Sequence, residues 1–236
     1  MEGLHALKHA LRFGARLTEL FTDDLDRALA TADEVAPELR PLLENQAKVI
    51  PTTRFRELST QPIHTRALAF AVAPGWTLRQ TLPRIGHPTI LLDDPRNSKN
   101  LGAVVRVGAA AGAAGILANG AADLYDTMAV RGAAGLQWAI PCWGSPRLLE
   151  ELDEINPNAT LVGLDANGAA FDPASLTGPV IFAFGSERSG LSDQVRGRCQ
   201  QIVALEMRPE ISSLNLATSV SAVLYLMRYA RGGGTA

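Results

Sequence analysis

The chain has 236 residues, of which 47% are hydrophobic and 19% charged, enough apolar material for a packed core and too much for a disordered chain; it is one large domain or two small ones. A formal charge of −2, from 22 Lys and Arg against 24 Asp and Glu, argues against nucleic-acid binding over the whole surface, so any RNA site must be a local basic patch. No apolar run approaches the roughly 18 residues that cross a bilayer, and the opening MEGLHALKHALRFGARL mixes basic residues into its apolar pattern, so the expectation is a soluble, cytoplasmic protein without a membrane partner.

In chain order, periodicity predicts a helix over about Leu4 to Phe13, a strand at Leu17–Thr22 and a helix from Asp24 to about Glu44. A strand near Ala47–Ile50, a short helix around Phe55–Leu58 and a strand over Ala67–Ala73 follow. This α/β segment, 1–74, is read as one domain and the Pro- and Gly-bearing stretch 75–86 as a linker. Over 87–236 strands and helices alternate: TILLDD, a small-residue helix from about Lys99 to Gly112, GILANG, WAIP, a helix from Pro146 to Ile155, then ATLVGLD, PVIFAFG, QIVALEM. A last helix runs from about Ser213 to Arg231, with Gly232, Gly233 and Gly234 as its stop signal. Such alternation indicates a mostly parallel sheet covered on both faces, with ligands bound beyond the carboxyl ends of its strands.

Cys142 and Cys199 have no CxxC spacing and only four histidines accompany them, which gives neither a disulfide framework nor a metal site. Three other segments fall at strand ends and mix glycines with polar groups. In NSKNLGAVVRVGAAAGAAG, Asn97 or Ser98 can cap a helix whose buried stripe is Leu101, Val104, Val105 and Gly108, with Arg106 on the opposite side. The segment lacks GxGxxG and a P-loop Lys, which counts against a dinucleotide-binding oxidoreductase. PVIFAFG runs into Gly185-Ser186-Glu187-Arg188-Ser189-Gly190-Leu191, where a glycine turn lets backbone N–H groups approach a ligand, or simply turns a strand into a helix capped by Ser192 and Asp193. SSLNLATSVSAVLY, from Ser212, precedes a core stripe of Leu216, Val220, Val223, Leu224 and Met227, with Ser213 as a possible N-cap.

Together these segments resemble the three signature motifs of the SpoU (TrmH-type) RNA ribose 2'-O-methyltransferases of the SPOUT superfamily. Asn100, Gly102 and Arg106 match the first motif, Gly185, Glu187, Gly190 and Leu191 the second, and Ser213, Leu214 and Asn215 the third. Val107-Gly108 stands where the family usually has Thr-Ala, and Arg208-Pro209-Glu210 replaces a glycine-containing approach to the third motif. The resemblance implies an α/β-knot catalytic domain with a deep trefoil knot and a small N-terminal substrate-binding domain. It also implies a homodimer and S-adenosyl-L-methionine as cofactor, held at Leu164, Gly185, Gly190, Leu205, Met207 and Leu214.

By the same resemblance, Arg106, Asn100, Glu187, Ser213 and Asn215 would carry methyl transfer to a ribose 2'-hydroxyl of structured RNA, rRNA before tRNA, with Arg106 meeting the cofactor held by the other subunit. Guanidinium groups hold their proton at neutral pH, which favours orientation and charge stabilisation over base catalysis as the arginine's part. A catalytically silent RNA-binding or ribosome-assembly protein on the same fold is the second reading. Arg54, Arg56 and Arg66 are the N-terminal candidates for RNA phosphate, while His64-Thr65-Arg66 stands where the family often has His-Gln-Gly.

Overall fold

A computed structural model describes residues 1–211 and 213–232; Ser212 and the Gly233–Gly234 part of the expected stop signal lie outside the described residues. The first elements are helix α1 (Leu4–Arg12), strand β1 (Leu17–Thr22), helices α2 (Leu25–Val35) and α3 (Arg40–Gln46), strand β2 (Lys48–Val49), helix α4 (Thr52–Glu57) and strand β3 (Leu68–Ala71). They build a three-stranded sheet of order β2-β1-β3, with β2 parallel and β3 antiparallel to β1. Leu4, Leu7, Leu20, Ala32, Leu39 and Leu43 form its core. The single helix expected from Asp24 to Glu44 is in fact two. Ala36 precedes Pro37 and takes an extended φ of −159°, because a residue before proline is pushed out of the helical region, and a 3-10 turn at Pro37–Leu39 re-aims the chain.

The segment 75–86 packs against the rest: its 3-10 helix Leu78–Thr81 is closed by a Thr77/Gln80 capping box, and Leu78 and Thr81 are buried. Beyond it come β4 (Thr89–Asp93), α5 (Ser98–Ala111), β5 (Gly115–Asn119), α6 (Thr127–Gly132), β6 (Cys142–Ser145) and α7 (Leu148–Ile155). They are followed by β7 (Leu161–Ala170), β8 (Ile181–Phe184), α8 (Asp193–Arg196), β9 (Gln201–Ala204) and α9 (Leu216–Ala230). The six strands run in the order β6-β5-β4-β8-β7-β9 and every pairing is parallel. Side chains of the central strands alternate between two cores: Ile90, Leu92, Ile116 and Phe182 meet α5 and α9 on one face, while Leu91, Leu117 and Ile181 meet α7 on the other. Burying each of these large side chains contributes about 1.5–3 kcal/mol.

WAIP is not the strand that its apolar run suggests. Leu136–Trp138 is a 3-10 turn and the strand begins at Cys142, just past Pro141. Tertiary packing takes Trp138 instead: it is buried and its Nε1 donates to the Val72 carbonyl, joining the six-stranded unit to the end of the first one. Further ties hold the two sheets together. Glu2, whose side chain is almost wholly buried, receives Arg131 Nη1 at 3.1 Å and Thr60 N and Oγ1 at 2.5 and 2.9 Å, and His9 Nδ1 donates to the Ala134 carbonyl. None of the described helices is long and apolar enough to cross a membrane.

Candidate active site

The carboxyl ends of β4, β8 and β7 and the loop after β9 converge on one edge of the sheet. Asn97 caps α5, its Oδ1 accepting from Lys99 N and Asn100 N, and the expected stripe of Leu101, Val104, Val105 and Gly108 is buried. Gly102 has a packing reason to be glycine: a Cβ there would lie 2.2 Å from the Ala129 carbonyl oxygen, so α5 and α6 can touch only without a side chain at this position. The cap fixes Asn100 in the first turn of the helix, facing the loop that follows β8.

That loop is built around its glycines and serines. Ser186 and Gly190 exchange two backbone hydrogen bonds of 3.1 and 3.0 Å, with Gly190 at a φ of 68°. A Cβ on Gly185 would sit 2.0 Å from the Gly190 carbonyl carbon, so the loop can double back only over a bare Cα. Ser192 then caps α8 by accepting from Val195 N. The loop is moored by Asp93 at the end of β4, a buried carboxylate that accepts from Ser192 N at 2.7 Å and from Asn119 Nδ2 at 2.9 Å. Asp93 was not singled out from the sequence; its signal was an acid ending the apolar run TILLD, where a charge stays buried only if hydrogen-bonded.

A cleft of about 320 Å³ opens between these loops, walled by Leu164, Phe184, Gly185, Gly190, Leu205, Met207, Leu214 and Leu216, with Asp165, Ser186, Glu187, Ser213 and Ser219 as its polar groups. All six residues expected to hold the cofactor line it, and Glu187 and Ser213 join them. β7 reaches past the expected ATLVGLD to Ala170, and both Leu164 and Ala169 pair with Val203, so the residues between them bulge out and carry Asp165 into the cleft wall. The Asn167 backbone N–H, with Arg196 beside it, holds the Asp165 carboxyl below the usual range and leaves it an ionised acceptor for hydroxyls.

At the cleft mouth the three distant segments meet through side chains. Asn100 Nδ2 donates to Glu187 Oε1 at 2.5 Å, and Asn215 Nδ2 donates to Asn100 Oδ1 at 3.3 Å. Asn215, rather than Ser213, caps α9, which starts at Leu216; its Oδ1 accepts from Ala217 N. Such a chain fixes the amide orientations and presents a carboxylate and two amides to whatever enters.

Arg106 is not part of this cluster. It lies exposed on the outer face of α5, close enough to α1 for its charge to assist burial and His9 in lowering the His5 pKa. Arg54 pairs with Glu57 at 2.8 Å, and Arg66, at a φ of 53°, pairs with the buried Asp23 at 2.7 Å, whereas Arg56 makes no ion pair with the described residues. Burial pushes the Cys142 thiol upward, and the half-buried Cys199 moves the same way. No group of His, Cys, Asp and Glu among the described residues could hold a metal ion.

Known proteins share this architecture. A solved structure of the SpoU methyltransferase AviRb from Streptomyces viridochromogenes with AdoMet superposes over 100% of this chain and 91% of its own, with a TM-score of 0.82 and 26% identity. An AdoMet-bound rRNA methyltransferase from Sinorhizobium meliloti shares the fold at a TM-score of 0.75, 21% identity and coverage of 97% and 86%. In sequence, a 23S rRNA (uridine(2479)-2'-O)-methyltransferase of Streptomyces viridochromogenes is 34% identical over 58% of this chain, and the match spans 50% of that relative, about half its length. An uncharacterized tRNA/rRNA methyltransferase of Mycolicibacterium smegmatis is 29% identical over 94% of the chain and 72% of its own. Residues 87–225 match the profile of the SpoU rRNA Methylase family, and the chain belongs to that family.

Proposed function

We propose that the protein transfers a methyl group from S-adenosylmethionine to a ribose 2'-hydroxyl of structured RNA, ribosomal RNA before transfer RNA. The observation that carries this reading is the hydrogen-bonded chain Glu187–Asn100–Asn215 at the mouth of an apolar cleft sized for a nucleoside. The residues present fit the cofactor. Leu164, Leu205, Met207 and Leu214 offer apolar walls for an adenine, the bare Gly185 backbone permits close approach, and Asp165 is an acceptor for the sugar hydroxyls. Bound there, the cofactor supplies an electrophilic methyl on a sulfonium. The preference for rRNA is supported by the relative named as a 23S rRNA 2'-O-methyltransferase.

In this reading the cluster acts mainly by positioning, which can supply much of the rate of a transfer between two held groups. Asn100 and Asn215 hold the 2'-hydroxyl, and Glu187 and Ser213 fix those amides. The hydroxyl proton leaves to a neighbouring phosphate or to water. Arg106 comes from the second subunit of a homodimer and balances charge on the sugar-phosphate. Its exposure on the outer face of α5, away from the cleft of its own subunit, and the separate exposed Tyr225, Leu226 and Tyr229 on α9, which packs on α5, support this arrangement. We further assign residues 1–74 as the substrate-binding domain, 75–86 as the connection and 87–236 as the catalytic domain, with the chain after β9 threading a deep knot.

The test is tritiated methyl transfer to total RNA, with Arg106→Lys beside the wild type. Turnover is expected to fall at least about a hundredfold in the variant, since lysine lacks the planar fork, while calorimetry shows S-adenosylmethionine affinity nearly intact. Wild-type protein that binds the cofactor but labels no RNA would favour the silent RNA-binding alternative, and retained activity in the variant would remove Arg106 from the site.

A further inference from the structure

Three concavities lie in series along one protomer. The cofactor cleft shares Ser186 and Glu187 with a second cleft of about 860 Å³, lined by Arg96, Asn97, Ser98, Lys99, Asn100, Met128, Arg188 and Ser189. Met128 is in turn touched by Thr60 Oγ1 at 3.4 Å and Gln61 Nε2 at 3.7 Å. Thr60 and Gln61 belong to the wall of a third concavity, about 450 Å³, in the three-stranded unit, with Phe55, Pro62 and Ile63 as its apolar floor and Arg27, Arg56, His64 and Arg66 around it. The shared residues and the Met128 contact set the three concavities side by side, so that an extended chain could run from one to the next.

Charge along that groove is not evenly available. Arg66 is committed to Asp23, and Arg96 pairs with Asp94 at 2.7 Å. Arg27 and Arg56 at the far end, and Lys99 and Arg188 beside the cofactor cleft, are exposed and form no ion pair with the described residues. Of the nearby carboxylates, Glu57 is met by Arg54 and Asp23 by Arg66, while Asp24 is engaged as the cap of α2 and Asp26 lies exposed beside Arg27. A chain whose overall charge is −2 thus keeps two pairs of free cations along one path that ends at Glu187 and Asn100.

We propose that this path is the bed of a single RNA strand: Lys99 and Arg188 hold phosphates flanking the methylated ribose, and an unstacked nucleotide from the same strand occupies the Phe55/Ile63 pocket with its phosphate on Arg27 and Arg56. The inference rests on the methyltransferase reading above for the identity of the near end. It adds the strand's course and the second nucleotide site. An apolar floor rimmed by cations suits a base with its phosphate, because single-stranded RNA is bound by splaying out bases and neutralising backbone charge. A duplex would present no free base to the Phe55/Ile63 pocket.

Binding of a fluorescently labelled single-stranded oligouridylate is measured across a salt series, for the wild type, Arg27→Gln/Arg56→Gln and Lys99→Gln/Arg188→Gln. Each double variant should weaken binding about tenfold and flatten the salt dependence, since every lost phosphate contact removes about 0.7 from the slope for a single strand. With all four substitutions the losses should multiply, and a hairpin duplex should compete poorly. Unchanged affinity and slope in Arg27→Gln/Arg56→Gln, with S-adenosylmethionine binding intact as proof of folding, would overturn the second site. Failure of the methyltransferase reading shows separately, as wild-type protein that binds the oligonucleotide but transfers no label.

Discussion

Single residues shape the cleft, and they differ in how visible they are in the sequence. Gly185 is visible because a glycine ends a buried apolar run, and the structure supplies the cause: there is no room for a Cβ beneath the Gly190 backbone. Gly185→Ala must therefore open the loop. The expected result is a loss of about 1–3 kcal/mol in stability, typical of forcing an atom into a filled space, with S-adenosylmethionine affinity down at least about tenfold, read by calorimetry. Asn100, Glu187 and Asn215 are legible as polar residues in the right motifs, but not that they bond in series, because contacts between positions 87 and 115 residues apart are set by the fold. Asp93 was invisible as a site residue for the opposite reason. A single acid at a strand end looks like the start of a turn, and only its buried bonds to Ser192 and Asn119 make it the mooring of the loop.

Elements were legible where one periodicity governed them. The stripes predicted for α5 and α9 are the residues buried there, since an amphipathic helix has one way to face a core. Predictions failed where a local rule or a distant partner intervened: Pro37 divides the long helix, and the contacts of Trp138 displace the expected strand to Cys142. On α9 the same periodicity leaves an unexplained remainder. Tyr225, Leu226 and Tyr229 face solvent, Tyr229 at 83% exposure, on the helix packed against α5, which bears Arg106. If a second copy covers that face, Tyr229→Glu should shift the protein from dimer to monomer in sedimentation at micromolar concentration, and methyl transfer should fall with it because Arg106 no longer reaches a neighbouring cleft. A protein already monomeric as wild type would contradict the placement of Arg106 in trans.

For the molecule as a whole, alternation of strands and helices made the parallel sheet legible, but not the strand order or the way the two sheets dock. Docking depends on a carboxylate that periodicity cannot flag. Glu2 is sealed between the units and shared by Arg131 and Thr60. Removing the guanidinium by Arg131→Ala leaves a buried carboxylate short of a partner, which should cost about 1–3 kcal/mol, discounted for the partial exposure of the arginine. Thermal unfolding should register this as a lower or split transition, and Glu2→Gln in the same background should recover part of the loss.

The contact of Thr60 and Gln61 on Met128 sets a fixed interval between the Phe55 pocket and the Glu187 amide cluster. If an RNA strand lies between them as proposed, it is gauged by its contour: the nucleotide that arrives at the methyl donor is the one a set number of sugars from the nucleotide seated at the far end. On that proposal target choice works as a calliper does, and lengthening the segment 59–62 by one residue should move the mark along the RNA rather than erase it.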